Sequence, residues 1–425
     1  MPDLSLLPPS ATIAGDDLLI GGCSLAEIAA EFGTPAFVFD EQALRDRACL
    51  FADGLARRHH RGRSRACFAT KSFPSASMIS ILASEGLGFD VVGEGELRIA
   101  LAGGADPGSI VMHGNAKSDA DIRAALDARI GYIVVDGFDD IDRITRLATR
   151  PTPVLLRVSP GIESKTHLAL ATGGKSAKFG VPVEHVPEAL ERMQASPVIE
   201  LRGLHAHIGS QILSLEQFEA EVEALASLGS FDVYDLGGGL GVRYEADDVA
   251  PEIDSYLDRL VAAAHAHLGE EVELIIEPGR SLVAPTAVTL YRVLTLKQAG
   301  KLHVATDGGM GDNLEYPLYG QRFAPMVVGR WNEPEVLVDL VGRHCESGDI
   351  VTPDVELRSP QVGDLVVVPV TGAYCFTMVN NYNGALRPPV IYCSAGVARL
   401  GVRRETPDEL LAREMGLLTA VGPVL

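Results

Sequence analysis

The chain has 425 residues, 47% apolar and 22% charged, with a formal net charge of −21 at pH 7. That length exceeds one ordinary core and predicts two domains, or a barrel with an added module, in a composition typical of soluble globular proteins. The acidic balance argues against a nucleic-acid groove or an anionic membrane surface as partner, while leaving room for a local cationic pocket.

The six cysteines (Cys23, Cys49, Cys67, Cys345, Cys375 and Cys393) show no CxxC and no zinc-like spacing, so no metal is expected. Together with the lack of a signal-peptide-like segment, they predict a reducing cytoplasm. No apolar run approaches the length of a membrane span.

In chain order, "ATIAGDDLLIGGC" near the start reads as β structure that could pair with a later β region. Apolar strand-like runs then recur near residues 66 (ACFATK), 88 (GFDVV), 110 (IVMHG), 132 (YIVVD) and 154 (VLLRVSP), each start about 22 residues after the last. Helical patterns fill the gaps, among them "KSDADIRAALDARI", for which Ser118 and Asp119 make a plausible cap. Three more strands, "LHAHIG" (204–209), "VYDLGGG" (233–239) and "LIIEPGR" (274–280), alternate with further helices.

Eight β-then-α units predict a (β/α)8 TIM barrel, and their number and repeat favour closure over an open doubly wound sheet. After residue 285 the sequence is strand-rich, punctuated by Gly and Pro, and almost free of helical pattern. The expected partition is a barrel over 35–285, with residues 1–34 and 286–425 forming a second, all-β domain, a sandwich or small barrel.

Barrel enzymes place their working residues at the C-terminal strand ends, with phosphate sites after strands 7 and 8. Here strand 1 ends in Lys71, strand 2 carries Asp90, and strand 6 presents His205 and His207, followed by Ser210. Strand 7 runs into Gly237, Gly238 and Gly239, and strand 8 ends with Glu277, Pro278, Gly279 and Arg280. Consecutive glycines let backbone N–H groups close on an anion.

Each residue alone has an ordinary structural explanation: a lysine flanking a strand, a satisfied core histidine, a carboxylate in an ion pair. Together they supply what pyridoxal phosphate requires. Lys71 would bond the aldehyde and exchange its amine with the substrate's, Glu277 would face the pyridine nitrogen, and His207 would lie against the ring. Ser210, Gly239 and the backbone around Gly279 would hold the phosphate.

With these residues in place, the chain resembles the fold-type III pyridoxal-phosphate enzymes, the alanine-racemase-like barrel group. Within that group it is most similar to the decarboxylase branch and to the meso-diaminopimelate decarboxylases. The likeness spans roughly residues 20–405 and rests on "ATKSF", "LHAHIGSQ", "DLGGGLGV", "EPGRSLV", "DGGMGDN", "GRHCESGD" and "TGAY" in that order.

The resemblance implies a homodimer in which Cys345 and Glu346 enter the other subunit's active site, Cys345 as candidate proton donor. It also implies that Tyr374 reaches the cofactor phosphate, and that Arg280, Tyr319, Glu346 and Tyr374 surround the substrate. The "HCESGD" segment has the decarboxylase form, which makes racemisation the lesser reading. A non-catalytic cofactor carrier on a bare barrel would lack the second domain altogether.

One position departs from the family. An arginine that grips the substrate's distal carboxylate normally follows the "DN" of "DGGMSDN" by two residues, and here Glu315 stands there. Losing one partner of a buried charge pair costs about 2–5 kcal/mol, roughly 30-fold or more in discrimination. Either Glu315 points outward and Arg280, Arg322 or Lys165 supplies the charge, or Glu315 welcomes an ammonium group. The leading expectation is decarboxylation of meso-diaminopimelate to L-lysine. The alternative is a substrate without the distal carboxylate, such as D-lysine, D-ornithine or a specialised-metabolite intermediate.

Overall fold

The computed structural model describes residues 3–162 and 178–414, apart from the side chain of Arg61. Eight parallel strands close on themselves: Ser64–Ala69, Gly88–Val91, Ile110–Met112, Tyr132–Val135, Thr152–Ser159, Ile199–His205, Val233–Asp235 and Glu273–Ile276. The ring shuts where Glu273–Ile276 pairs with Ser64–Ala69, Ile276 lying opposite Ala66. Each overlaps a predicted run, although the sixth shares only Leu204 and His205 with the expected LHAHIG and begins five residues earlier. The closure follows from their character, since strands apolar on both faces must be covered on both.

The intervening helices begin where local chemistry says they should. Ser118 caps Asp119–Ala128 in a reciprocal capping box with Asp121, and Ser75 caps Ala76–Ser84.

The strands stop earlier than their apolar strings suggest. Lys71 is not the last residue of a strand. Ser64–Ala69 ends at Ala69, and Lys71 sits in the 3₁₀ turn Thr70–Ser72. That turn is closed by the Phe73 N–H on the Thr70 carbonyl at 3.0 Å and the Ser72 hydroxyl on the Ala69 carbonyl at 2.8 Å. Likewise the ladder ends at His205 and at Asp235, so His207 and the three glycines lie on the loops beyond.

The second sheet runs in the order Ile350–Arg358, Glu335–Val341, Lys301–Thr306, Ala287–Ala299, Ala36–Asp40, Val390–Ser394, Val397–Val402. Leu365–Pro369 and Met326–Val327 join beside the long strand Ala287–Ala299. One element departs from the expected partition. Ala36–Asp40, anticipated with the barrel, pairs with Ala287–Ala299 on one side and Val390–Ser394 on the other. Its buried AFVFD string suits either sheet, and only long-range pairing decides between them.

The N-terminal β segment forms its own three-stranded antiparallel sheet. It packs Leu18, Ile20 and Cys23 against the second sheet rather than pairing with it.

Aromatic packing joins the two bodies beside Lys71. Phe73 stacks on Phe376 with ring centroids 4.5 Å apart and meets Phe39 edge-on at 4.8 Å. Such pairs contribute about 0.5–1.5 kcal/mol each beyond burial. The turn bearing Lys71 is thus held by side chains from both bodies. No described helix is long and apolar enough to cross a membrane.

Candidate active site

One cavity at the C-terminal mouth of the barrel is lined by Lys71, Asp90, His207, Ser210, Gly239, Glu277, Gly279, Arg280 and Tyr374, with Ala69 at its floor. Residues up to 305 positions apart in sequence meet here, because barrel strands deliver their ends to one rim and the second body adds Tyr374. The second body completes the wall: the Tyr374 N–H donates to the Ser72 carbonyl at 2.8 Å, and the Thr377 hydroxyl donates to the Lys71 carbonyl at 2.8 Å. Tyr374 holds φ at 64°, a conformation that costs a non-glycine residue energy and is kept where surroundings over-determine it.

The amine of Lys71 lies 3.8 Å from Asp90 Oδ2, and 42% of the lysine side chain remains open to the cavity. Burial disfavours its ammonium form, but Asp90, Tyr374 and Glu277 outweigh burial and raise its pKa. The Asp90 carboxyl is itself pushed up by burial, with His113 opposing and Glu277 adding to the rise. Both groups thus hold protons more tightly than in water, and Lys71 stands as an ammonium beside Asp90.

Glu277 stands at the centre of a buried cluster. His113 Nε2 is 2.5 Å from its Oε1 and His205 Nε2 is 3.4 Å from its Oε2. Burial alone would raise the Glu277 carboxyl, but the two histidines hold it well below the ordinary range. Burial and the Glu277 charge push Asp235 well above its usual value, and burial drives His205 down to about 3. Negative charge therefore concentrates on Glu277.

The donor atoms of His113, His205, Asp235 and Glu277 lie within 4.8 Å of one another. Yet Asp90 Oδ1, His113 Nε2, both His205 ring nitrogens, Asp235 Oδ2 and Glu277 Oε1 lack hydrogen-bond geometry to any described partner. Orphaned buried polar atoms are uncommon, and so dense a group points to a polar guest. A ring nitrogen carrying a proton fits that need.

His207 lines the cavity with a neutral ring, since burial, Lys71 and Arg157 all depress its pKa. Its Nδ1 accepts the Gly238 N–H at 3.2 Å. Gly238 does not itself line the cavity. It lies so close to the next strand that an added Cβ would sit 2.1 Å from the Glu277 carbonyl oxygen. Gly239 takes φ of 118°, a conformation open to glycine. The loop thereby brings backbone, Ser210 and the Arg280 guanidinium to one end of the cavity, a fitting cradle for a phosphate.

At the outer end, Arg280 is fixed from three sides. Its Nε is 3.3 Å from Ser210 Oγ, its Nη1 donates to the Tyr244 hydroxyl, and its guanidinium lies 4.7 Å over the Tyr374 ring. Glu315 neither points outward nor stands ready as a lone anion. It is 1% exposed, and its Oε2 lies 3.4 Å from Arg280 Nη1. Burial raises the Glu315 pKa, with Arg280 opposing. Tyr319 ends the same helical turn, Glu315–Tyr319, and feels both charges. Arg322 is engaged elsewhere, 3.0 Å from Glu245; Lys165 falls outside the described residues.

Cys345 and Glu346 are not brought into this cavity. Both are exposed on the loop 342–349, where the Cys345 N–H donates to Asn383 Oδ1 at 2.8 Å. Asp349 braces that loop by accepting the His344 N–H at 2.7 Å and the Met310 N–H at 2.6 Å.

Sequence reasoning overlooked His113, Asp235, Arg157 and Thr377. His113 lay inside the predicted run IVMHG and directly follows the observed strand Ile110–Met112, so the strand-end criterion could have found it. Thr377 gave no local signal.

The family model described as "Pyridoxal-dependent decarboxylase, pyridoxal binding domain" matches residues 50–284. Diaminopimelate decarboxylase of Actinosynnema pretiosum is 40% identical over 97% of this chain and 96% of its own length. That of Bacillus subtilis is 36% identical over 95% and 96%. Among solved structures, diaminopimelate decarboxylase from M. jannaschii in co-complex with L-lysine superposes with a TM-score of 0.89 at 29% identity, covering 96% of this chain and 98% of that one. The Helicobacter pylori enzyme complexed with L-lysine gives 0.85 at 29%, covering 91% and 98%. A cavity that gathers a lysine, a buried glutamate and a glycine-lined cradle at a barrel rim thus belongs to a member of the pyridoxal-dependent decarboxylase family, within its diaminopimelate decarboxylase branch.

Proposed function

We propose that this protein removes CO2 from meso-2,6-diaminopimelate to yield L-lysine, as a pyridoxal-phosphate-dependent carboxy-lyase. The observation that carries this reading is the near-full-length likeness to named diaminopimelate decarboxylases, joined to a cavity that brings Lys71, Glu277 and Arg280 together. A substrate without a distal carboxylate is not favoured, because two structural neighbours hold L-lysine, which retains one.

Pyridoxal phosphate, when bound, supplies an electron sink for the pair left at Cα as CO2 departs. The chain's own groups do the rest. Lys71 would carry the cofactor and give place to the substrate amine, with Asp90 at 3.8 Å as the nearby carboxylate for its proton. Glu277, kept anionic by His113 and His205, would hold a proton on the ring nitrogen. His207 would support the ring face. Ser210, Gly239, Gly279, Arg280 and Tyr374 would hold the phosphate, and Gly238 sets the loop that presents it.

The exposure of Cys345 and Glu346 supports a homodimer in which these two side chains reach the other subunit's cavity, Cys345 to protonate Cα. We place the domain division near residue 285, with residues 1–34, 286 onward and the strand Ala36–Asp40 in the second domain, and the enzyme in the cytoplasm.

The test is release of CO2 from meso-diaminopimelate by the purified protein with added cofactor, with chiral analysis of the product. Stoichiometric L-lysine is expected. CO2 release from D-lysine or D-ornithine in preference to diaminopimelate would overturn the assignment.

A further inference from the structure

We propose a second small-molecule site behind the phosphate cradle, built to take a carboxylate carried on an apolar body and coupled to cofactor binding. It goes beyond the decarboxylation and does not depend on which amino acid reacts.

The site is a cavity of about 380 Å³ that shares no lining residue with the catalytic one. Pockets for small molecules usually enclose about 300–1,000 Å³. Leu6, Leu7, Leu50, Pro251, Pro285 and Val370 give it apolar walls, and Arg47, Arg243, Asp46 and Glu252 give it charge. The two acids are exposed, and Gln42 Nε2 donates to Asp46 Oδ1 at 2.8 Å. The two arginines are half-buried.

Neither arginine forms an ion pair among the described residues. Arg47 spends Nε and Nη2 on one neutral acceptor, the Ser281 carbonyl, with Nε at 2.8 Å. Burial pushes its pKa down to about 10, with Glu252 opposing. Arg243 Nη2 donates to the Ala246 carbonyl at 2.6 Å, while its Nε is buried with no hydrogen-bond partner among the described residues. Guanidinium groups kept from water without an anion, one with an orphaned donor, call for a negatively charged acceptor. The apolar walls call for a hydrocarbon body on that acceptor, which a bare inorganic anion lacks.

Three walls of this cavity run directly into the cradle. The Ser281 carbonyl held by Arg47 belongs to the turn Arg280–Val283, which opens with the cradle's arginine. Val242 exchanges two hydrogen bonds with the Gln211 side chain, at 2.6 and 3.1 Å, next to Ser210. Val370 stands four residues before Tyr374. A ligand that draws on Arg47 or packs on Val242 and Val370 alters how firmly the cradle is held. It and the cofactor then change each other's affinity by the same factor.

Hexanoate carries both required features, whereas acetate lacks the apolar body and 1-hexanol lacks the charge. Their binding to the cofactor-loaded protein is measured by ligand-detected NMR titration. Hexanoate is expected to bind about ten-fold tighter than either, and Arg243→Gln and Leu50→Glu are each expected to weaken it about ten-fold. Saturating hexanoate is expected to change the pyridoxal-phosphate Kd, read by absorbance titration, by about five-fold or more, and Arg243→Gln to abolish that change.

Hexanoate binding no tighter than acetate overturns the site. So does equal hexanoate affinity in the wild type and both variants, which would place the ligand elsewhere. Should one variant not fold, the other decides together with the wild-type series. Hexanoate binding with an unchanged cofactor Kd overturns the coupling.

Discussion

At the inner end of the cavity, Glu277 stands among His113, His205, Asp235 and Asp90, with polar atoms on all five lacking a hydrogen-bond partner where they face one another. At the outer end, Arg280 and Glu315 answer each other within the protein, and only one oxygen of the pair is left over. The inner end is supplied by the ends of barrel strands. The outer end needs Glu315, Tyr319 and Tyr374 from the second body. The contrast shows two ways of preparing a buried site. One gathers buried polar atoms around a single anion, while the other pairs its charges within the protein.

Substitutions can break this contrast, beginning with the largest effect. Glu277→Gln removes the anion that the inner cluster concentrates, and kcat should fall about 10²–10³-fold with KM little changed, read from steady-state CO2 release. A proportionate rise in KM instead would place Glu277 in substrate binding. Gly238→Ala drives a Cβ to within 2.1 Å of the Glu277 carbonyl. The overpacking should weaken cofactor binding about 10–100-fold, measured by absorbance titration.

Glu221 sharpens the comparison, because it is a buried carboxyl with no site to serve. It is fully buried, neither oxygen has a hydrogen-bond partner among the described residues, and burial holds its pKa well above the ordinary 4.5. The folded state therefore keeps a proton that the unfolded state releases above about pH 4.5, so this group makes stability fall as pH rises from there toward its folded pKa. Glu221→Leu should add about 1–3 kcal/mol at pH 8 and flatten that slope, read from melting temperature against pH. Unchanged melting at pH 8 would mean the carboxyl is satisfied. The smallest effect belongs to Arg322→Ala. Its guanidinium is occupied by Glu245 at a partly exposed pair, so kcat/KM for diaminopimelate should change less than about five-fold.

The barrel was legible because its strands announce themselves locally, and all eight recur as apolar runs between helical patterns. Lys71, Glu277, Gly239 and Arg280 were legible for the same reason: each stands at or just beyond such a run. Ala36–Asp40 was misplaced because its five buried residues carry no mark of which sheet they join. Glu315 was visible as an odd residue in a motif, but its burial against Arg280 depends on a helical turn 35 residues downstream and could not be read from the string. Thr377 was invisible, because its hydroxyl matters only through contact with the Lys71 carbonyl, 306 positions away.

The central claim is a covalent bond between the Lys71 amine and the cofactor aldehyde, and trapping tests it most directly. The protein would be incubated with pyridoxal phosphate, reduced with borohydride, digested and mapped by mass spectrometry. The account predicts one reduced cofactor adduct, on the peptide containing Lys71, and none in Lys71→Ala. An adduct on another lysine in the wild type, or full labelling of Lys71→Ala, would contradict it.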